Sequence, residues 1–143
     1  MNLVDANVLL YAVNTNATNH VVSRGWLDGA LNGHEGVGLA WGPILAFVRL
    51  STRRDVFPAP LTIPAALARV RAWMGQPPAV VLEPTRQHLD IIDRLLASVG
   101  AGGGNLVNDA HLAALSIEHR ATIVTFDNDF GRFPGVRWRN PGS

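Results

Sequence analysis

Ala121-Thr122-Ile123-Val124, running into Thr125-Phe126-Asp127-Asn128-Asp129-Phe130, is the stretch whose reading decides the fold. β-Branched residues packed this densely read as a buried strand, and the Asp-Asn-Asp that stops them reads as a turn. Two carboxylates then stand at the C-terminal tip of a strand, the edge where open parallel sheets build their ligand sites. The start of the chain has a matching feature: Asn2-Leu3-Val4 is a short apolar strand ended by Asp5. A further acid, Asp109, falls within the first turn of the helical segment that leads back to Asp127. Asp5, Asp109, Asp127 and Asp129 are therefore expected to converge on one metal. A charge at the end of a buried strand needs a partner, and nothing cationic lies near Asp5 in sequence. Four clustered anions repel, and a hard divalent cation with oxygen ligands relieves that repulsion; Mg²⁺ fits, and Mn²⁺ is possible. Plainer readings stay open. The helix dipole favours an acid in a first turn by about 0.3–1 kcal/mol, and Asp127 or Asp129 alone could be an ordinary turn residue.

Outward from these acids, strands alternate with helices. Ala6 to Val13 reads as a helical turn or two. A helix capped by Thr18 or Asn19 runs from about His20 to Leu31, with Val22, Trp26 and Ala30 on one stripe. Val37 to Ala40 is a second strand, followed by a helix Trp41–Thr52 whose Ile44, Phe47 and Val48 have core spacing. Thr62 caps a helix opened by Pro64 and running to about Met74, and Ala79 to Leu82 is a third strand. Thr85 is expected to cap a helix through about Ser98 that buries Leu89, Ile92, Leu95 and Leu96. Gly100 to Gly104 is a flexible loop, Asn105 caps the helix Leu106–His119, and Val136 to Trp138 forms a short edge strand. This alternation predicts a parallel, doubly wound sheet. With strands two and three on one side of strand one, and four and five on the other, the strand order reverses beside Asp5 and Asp127.

Composition narrows the function. The chain has 143 residues, 48% of them hydrophobic, which suits one domain with a substantial core. No apolar run reaches the roughly 18 residues of a membrane span, and no charged leader precedes the first strand. With no cysteine there is no thiolate zinc site and no disulfide, which suits a reducing, cytoplasmic setting. All 12 cations are arginine. The absence of lysine removes P-loop, Schiff-base and aspartyl-phosphate receiver chemistry. The glycine run fits no phosphate-binding fingerprint, and Asp127–Gly131 lacks the glycine position and closing glutamate of a calcium loop. Around the acids, Asn7 can orient a carboxylate, and the Thr125 hydroxyl can bind a phosphate or Asp5. Asn108 reads as a first-turn polar residue. The five histidines show no zinc pairing, and His111 is expected to face away from Asp109.

Asp5-Ala6-Asn7-Val8-Leu9-Leu10-Tyr11-Ala12, Asn108-Asp109-Ala110-His111-Leu112-Ala113-Ala114-Leu115 and Thr125-Phe126-Asp127-Asn128-Asp129-Phe130 together resemble a PIN-domain ribonuclease, and more closely the VapC toxins of type II toxin–antitoxin systems. The tail Phe133-Pro134-Gly135-Val136 and Trp138-Arg139-Asn140-Pro141 is similar to one branch of that group, so the match spans the chain. The resemblance implies a single PIN-like, three-layer α/β domain over residues 1–143, with a five-stranded parallel sheet flanked by helices. It implies Mg²⁺-dependent endoribonuclease activity, a small antitoxin partner and a homodimer. Asp5, Asp109 and Asp127 become the metal ligands and Asp129 a supporting acid. Asn7, Thr125 and Arg49 become RNA contacts, with Arg53, Arg54, Arg132 and Arg137 as further clamps. One position departs: in the run Ala46-Phe47-Val48-Arg49 the family's usual glutamate is replaced by Ala46. Glu35, the nearest upstream acid, lies across a strand and substitutes poorly. Trp41, Ile44, Phe47, Leu67, Val70 and Trp73 carry more apolar bulk than one core face needs, which suggests a groove for an antitoxin helix. Two other readings remain. A phosphatase of the haloacid dehalogenase type also begins with a strand-end aspartate and binds Mg²⁺, but wants a second acid at Asn7 and a lysine. With Ala46, a catalytically weak RNA-binding module is the other.

Overall fold

The computed structural model describes residues 1–100 and 105–143. Its elements in chain order are β1 (Asn2–Val4), α1 (Ala6–Val13), α2 (His20–Leu31), β2 (Val37–Leu39), α3 (Trp41–Ser51), α4 (Ile63–Met74), β3 (Ala79–Val81), α5 (His88–Val99), α6 (Asn105–Glu118), β4 (Thr122–Val124) and β5 (Trp138–Arg139), with a 3-10 turn at Asn128–Arg132. The expected loop Gly100–Gly104 falls, beyond Gly100, outside the described residues.

The five strands form one parallel sheet in the order β3-β2-β1-β4-β5, which is the order the doubly wound reading requires. Alternation along each strand sends side chains to two cores. Val4, Val37, Leu39 and Val124 face α1, α2, α3 and α4. Leu3 and Ile123 face α5 and α6. Strands buried on both sides read as unbroken apolar runs, which is why β1 and β4 are visible in the sequence. Gly38 is needed at the centre of β2, because a Cβ there would stand 2.7 Å from Leu82 Cδ1. Phe47 of α3 meets Trp73 of α4 edge-on at 4.9 Å, a contact worth about 0.5–1.5 kcal/mol beyond its buried area. It fixes the helix that carries Ala46 and Arg49.

The register of β1 on β4, Val4 opposite Val124, ends both strands at the same level. Asp5 therefore leaves the sheet beside Thr125, and its amide donates to Val124 O at 3.1 Å. The same residue caps α1: Ala6 N donates to Asp5 Oδ1 at 2.7 Å. Thr62 caps α4 as expected, accepting from Ala65 N.

Several local expectations are corrected. The buried stripe of α2 is Ser23, Leu27 and Leu31, one residue on from Val22, Trp26 and Ala30. Two stripes compete on that helix, and the small serine is the one that fits inside, although hydropathy counts it as polar. Thr85 does not cap α5, which starts at His88; its hydroxyl donates to Glu118 Oε1 instead. The later start leaves Leu89 at 76% exposure, while Leu95 is buried and Ile92 and Leu96 pack beside it. β5 pairs through Trp138 and Arg139, displaced from Val136–Trp138. The first turn of α6 holds no acid, so Asp109 lies beyond it and the dipole does not account for that residue.

Candidate active site

The end of β1, the start of α1 and the end of β4 assemble one polar network. Thr125 Oγ1 donates to Asp5 Oδ2 at 2.7 Å, and Asn7 Nδ2 reaches both Asp5 Oδ2 (3.4 Å) and Thr125 Oγ1 (3.2 Å). Asn7 Oδ1 accepts from Phe126 N, and Thr125 Oγ1 accepts from Asp127 N. Thr125 is fully buried. Its hydroxyl thus serves three neighbours at the hinge between strand and turn. Asp127 Oδ1 in turn accepts from Asp129 N at 2.8 Å, closing the 3-10 turn.

Beside this network opens a cleft of about 380 Å³, lined by Asp5, Ala46, Arg49, Asn108, Asp109 and His111 among others. Asp5 and Asp109 are the two acids on its wall. Burial raises the Asp5 carboxyl above its ordinary value against the hydrogen bonds from Thr125 and Ala6, and the charge of Asp127 adds to the rise. Asp109 is pushed up to about 6 by burial and by the charges of Asp127, Asp5 and Asp129, with Arg132 opposing. All four aspartates expected to act together are thus within electrostatic reach. They do not form a closed cage: among the described residues no three His, Asp or Glu side chains are grouped as a metal site. The donor set still suits a hard cation. The carboxylates repel one another, their ligand atoms are all oxygen, and among the described residues no arginine pairs with Asp5 or Asp109.

Ala46 lines the same cleft as Asp5 and Asp109. Glu35 pairs with the N-terminal amine instead, at the opposite edge of the sheet. Among the arginines expected to clamp RNA, Arg49 lines the cleft. Arg53 is bound to Asp55, Arg132 pairs with Asp129, and Arg137 donates to Arg120 O. Of the apolar residues expected in an open groove, Ile44, Phe47, Val70 and Trp73 are core, whereas Trp41 and Leu67 remain exposed.

The expectation that His111 faces away is wrong. Its ring lies against Gly42 at the cleft wall, and its Nδ1 is 2.8 Å from His88 Nε2. His88 Nδ1 is 2.7 Å from Glu118 Oε2. The Glu118 side chain is 2% exposed. Burial alone would raise its pKa, but donors from Thr85 and His88 outweigh that and hold the carboxyl below its ordinary value. His111 and Glu118 are two helical turns apart and so share a face, a signal available in the sequence. Their link through His88, on another helix, is not.

The profile of the PIN domain family matches residues 3–136. The chain is 59% identical over 141 residues to ribonuclease VapC37 of Mycobacterium tuberculosis, covering 99% of this chain and 97% of that protein. It is 38% identical over 141 residues to ribonuclease VapC33 of the same species, covering 99% and 98%. Among solved structures, M. tuberculosis VapC20, described as a sarcin-ricin loop cleaving toxin, superposes with a TM-score of 0.69 at 17% identity, over 96% of this chain and 99% of that one. With the family profile spanning most of its length and relatives sharing its sequence from end to end, the chain belongs to the PIN domain family, in its VapC branch.

Proposed function

We propose that this protein is a single PIN-like domain acting as an endoribonuclease toxin, with Asp5 and Asp109 as the principal metal ligands. The observation that carries the reading is one cleft walled by two carboxylates whose protonation is driven up by burial and, further, by their acidic neighbours. Mg²⁺, or Mn²⁺, is the cation such a site takes, and when bound it supplies charge neutralisation for the phosphodiester and a more acidic water. Asp127 adds negative charge to the cluster and Asp129 supports it through the turn. Thr125 and Asn7 hold the Asp5 carboxylate in one orientation, so that a ligand atom does not have to be ordered when substrate arrives. Arg49, at the cleft rim, neutralises an RNA phosphate. Ala46 leaves space where the family's usual acid would stand, and water fills it.

The relatives named ribonucleases support RNA as the substrate. A phosphatase of the haloacid dehalogenase type is not favoured, since Asn7 orients Asp5 and offers no second acid. Inhibition by a small antitoxin follows from the VapC resemblance. Trp41, Leu45, Ile63 and Leu67, exposed on α3 and α4, offer it apolar surface, and a homodimer is expected as well. A cytoplasmic setting fits this reading, and no described helix is long and apolar enough to cross a membrane.

The test is cleavage of total RNA by the purified protein with Mg²⁺, with chelator, and after Asp5→Ala or Asp109→Ala. Each variant should lose at least about 10³-fold in rate while retaining its fold by circular dichroism. Undiminished cleavage by Asp5→Ala removes the mechanism.

A further inference from the structure

The acidic end of the cleft leaves one charged assembly unexplained. Glu118 is a nearly buried carboxylate in a chain whose 12 cations are all arginine, yet its partner is His88. An arginine would satisfy that carboxylate and end there. An imidazole has a second nitrogen through which an orientation can be passed on. Here it is passed on: Thr85 N and Thr85 Oγ1 hold Glu118 Oε1, His88 Nδ1 meets Glu118 Oε2, and His88 Nε2 meets His111 Nδ1. The two rings cross at 81° with centroids 4.8 Å apart, so each fixes the other's plane. The line runs from a buried anchor to the wall of the cleft that Asp5, Asp109 and Arg49 share.

We propose that His111 contacts the RNA backbone, its ring held by a Glu118–His88 relay so that Nε2 meets a phosphate oxygen in the cleft. The proposal rests on the cleft being an RNA site. His88 and Glu118 are positioning residues that act through His111. Nε2 of His111 has no hydrogen-bond partner among the described residues, and it lies beside Gly42 at the start of α3. One proton lies between His88 Nε2 and His111 Nδ1. When His88 donates it, His111 Nδ1 accepts and Nε2 carries a hydrogen. A phosphate oxygen at Nε2 selects the same arrangement, so anchor and substrate favour one polarity of the line. Together with Arg49, His111 gives an otherwise acidic cleft donors for the phosphates flanking the cut.

The experiment compares the wild type with His111→Phe, Glu118→Gln and the double variant. Rates are measured on total RNA with Mg²⁺, binding on bulk transfer RNA without metal, and Mn²⁺ affinity by calorimetry. His111→Phe should lower kcat/KM and weaken transfer-RNA binding by roughly 10-fold or more, with Mn²⁺ affinity within about twofold of wild type because the acids are untouched. Glu118→Gln should lose less, and should add nothing in the His111→Phe background. Unchanged kcat/KM in folded His111→Phe overturns the contact. A Glu118→Gln loss that persists in full beside His111→Phe reduces the relay to a clamp between α5 and α6. A wild-type protein that neither cuts nor binds RNA overturns instead the reading of the cleft on which this one rests.

Discussion

Two carboxylates anchor the two polar networks of this cleft, and their protonation shifts in opposite directions. Asp5 and Glu118 each accept from a threonine hydroxyl and a backbone amide. Glu118 also has His88, and its pKa falls in spite of burial. Asp5 has Asn7 as its further donor and Asp127 as a charged neighbour, and its pKa rises. The rise at Asp5 is led by burial, which its hydrogen bonds do not offset and to which the Asp127 charge adds, whereas at Glu118 the donors from Thr85 and His88 outweigh burial. A buried carboxylate with a partner able to carry a proton is a completed structural unit. One with neutral donors and acidic neighbours is an incomplete unit, which on the proposed function a cation would complete.

The comparison can be broken at three points. The largest effect is expected at the completed end. Glu118→Ala leaves His88 Nδ1 and the Thr85 donors without their acceptor and should destabilise the fold by about 2–4 kcal/mol, as read by chemical denaturation. A loss within experimental error would mean that the buried network contributes nothing to holding α5 on α6. The next is at the incomplete end. Because Ala46 lines the cleft with Asp5 and Asp109, Ala46→Glu supplies a charged oxygen in place of a water and should tighten Mn²⁺ binding roughly tenfold. Equal affinities in calorimetric titration would show that position 46 does not reach the ion.

The smallest effect sharpens the sign of the contrast. Asp109 is raised from 3.8 to about 6, so the folded state holds its proton more tightly than the unfolded chain does. That contribution to stability is complete below 3.8 and is lost as pH climbs through 6. In the presence of chelator, Asp109→Asn should therefore stabilise the protein at pH 7 by on the order of 1 kcal/mol, the figure being discounted because the group is half exposed to solvent. At about pH 3.5 the gain should vanish. Unfolding midpoints at the two pH values decide it, and a variant less stable at pH 7 reverses the argument.

Much of this was legible from the residues. Asn2–Val4 and Ala121–Val124 read as buried strands because both of their faces are covered, so hydropathy alone marks them. Asp5 and Asp127 follow as strand-end acids, and Ala46 stands out only against the acid that the family resemblance leads one to expect. Short-range chemistry carried at Thr62, which caps α4 as expected, but not at Thr85, whose hydroxyl is drawn to Glu118 on another helix. Register across the sheet, the choice between two stripes on α2, and the inward turn of His111 were decided by tertiary packing. Ser23 is buried because it is small, where hydropathy scores only its hydroxyl. His88 and Glu118 meet across thirty residues because α5 begins at His88 rather than at Thr85, and α6 lies along it. Spacing within a helix is a local property that a sequence displays. Which faces of two helices meet is settled by the volumes packed between them, and those exist only once the chain has folded.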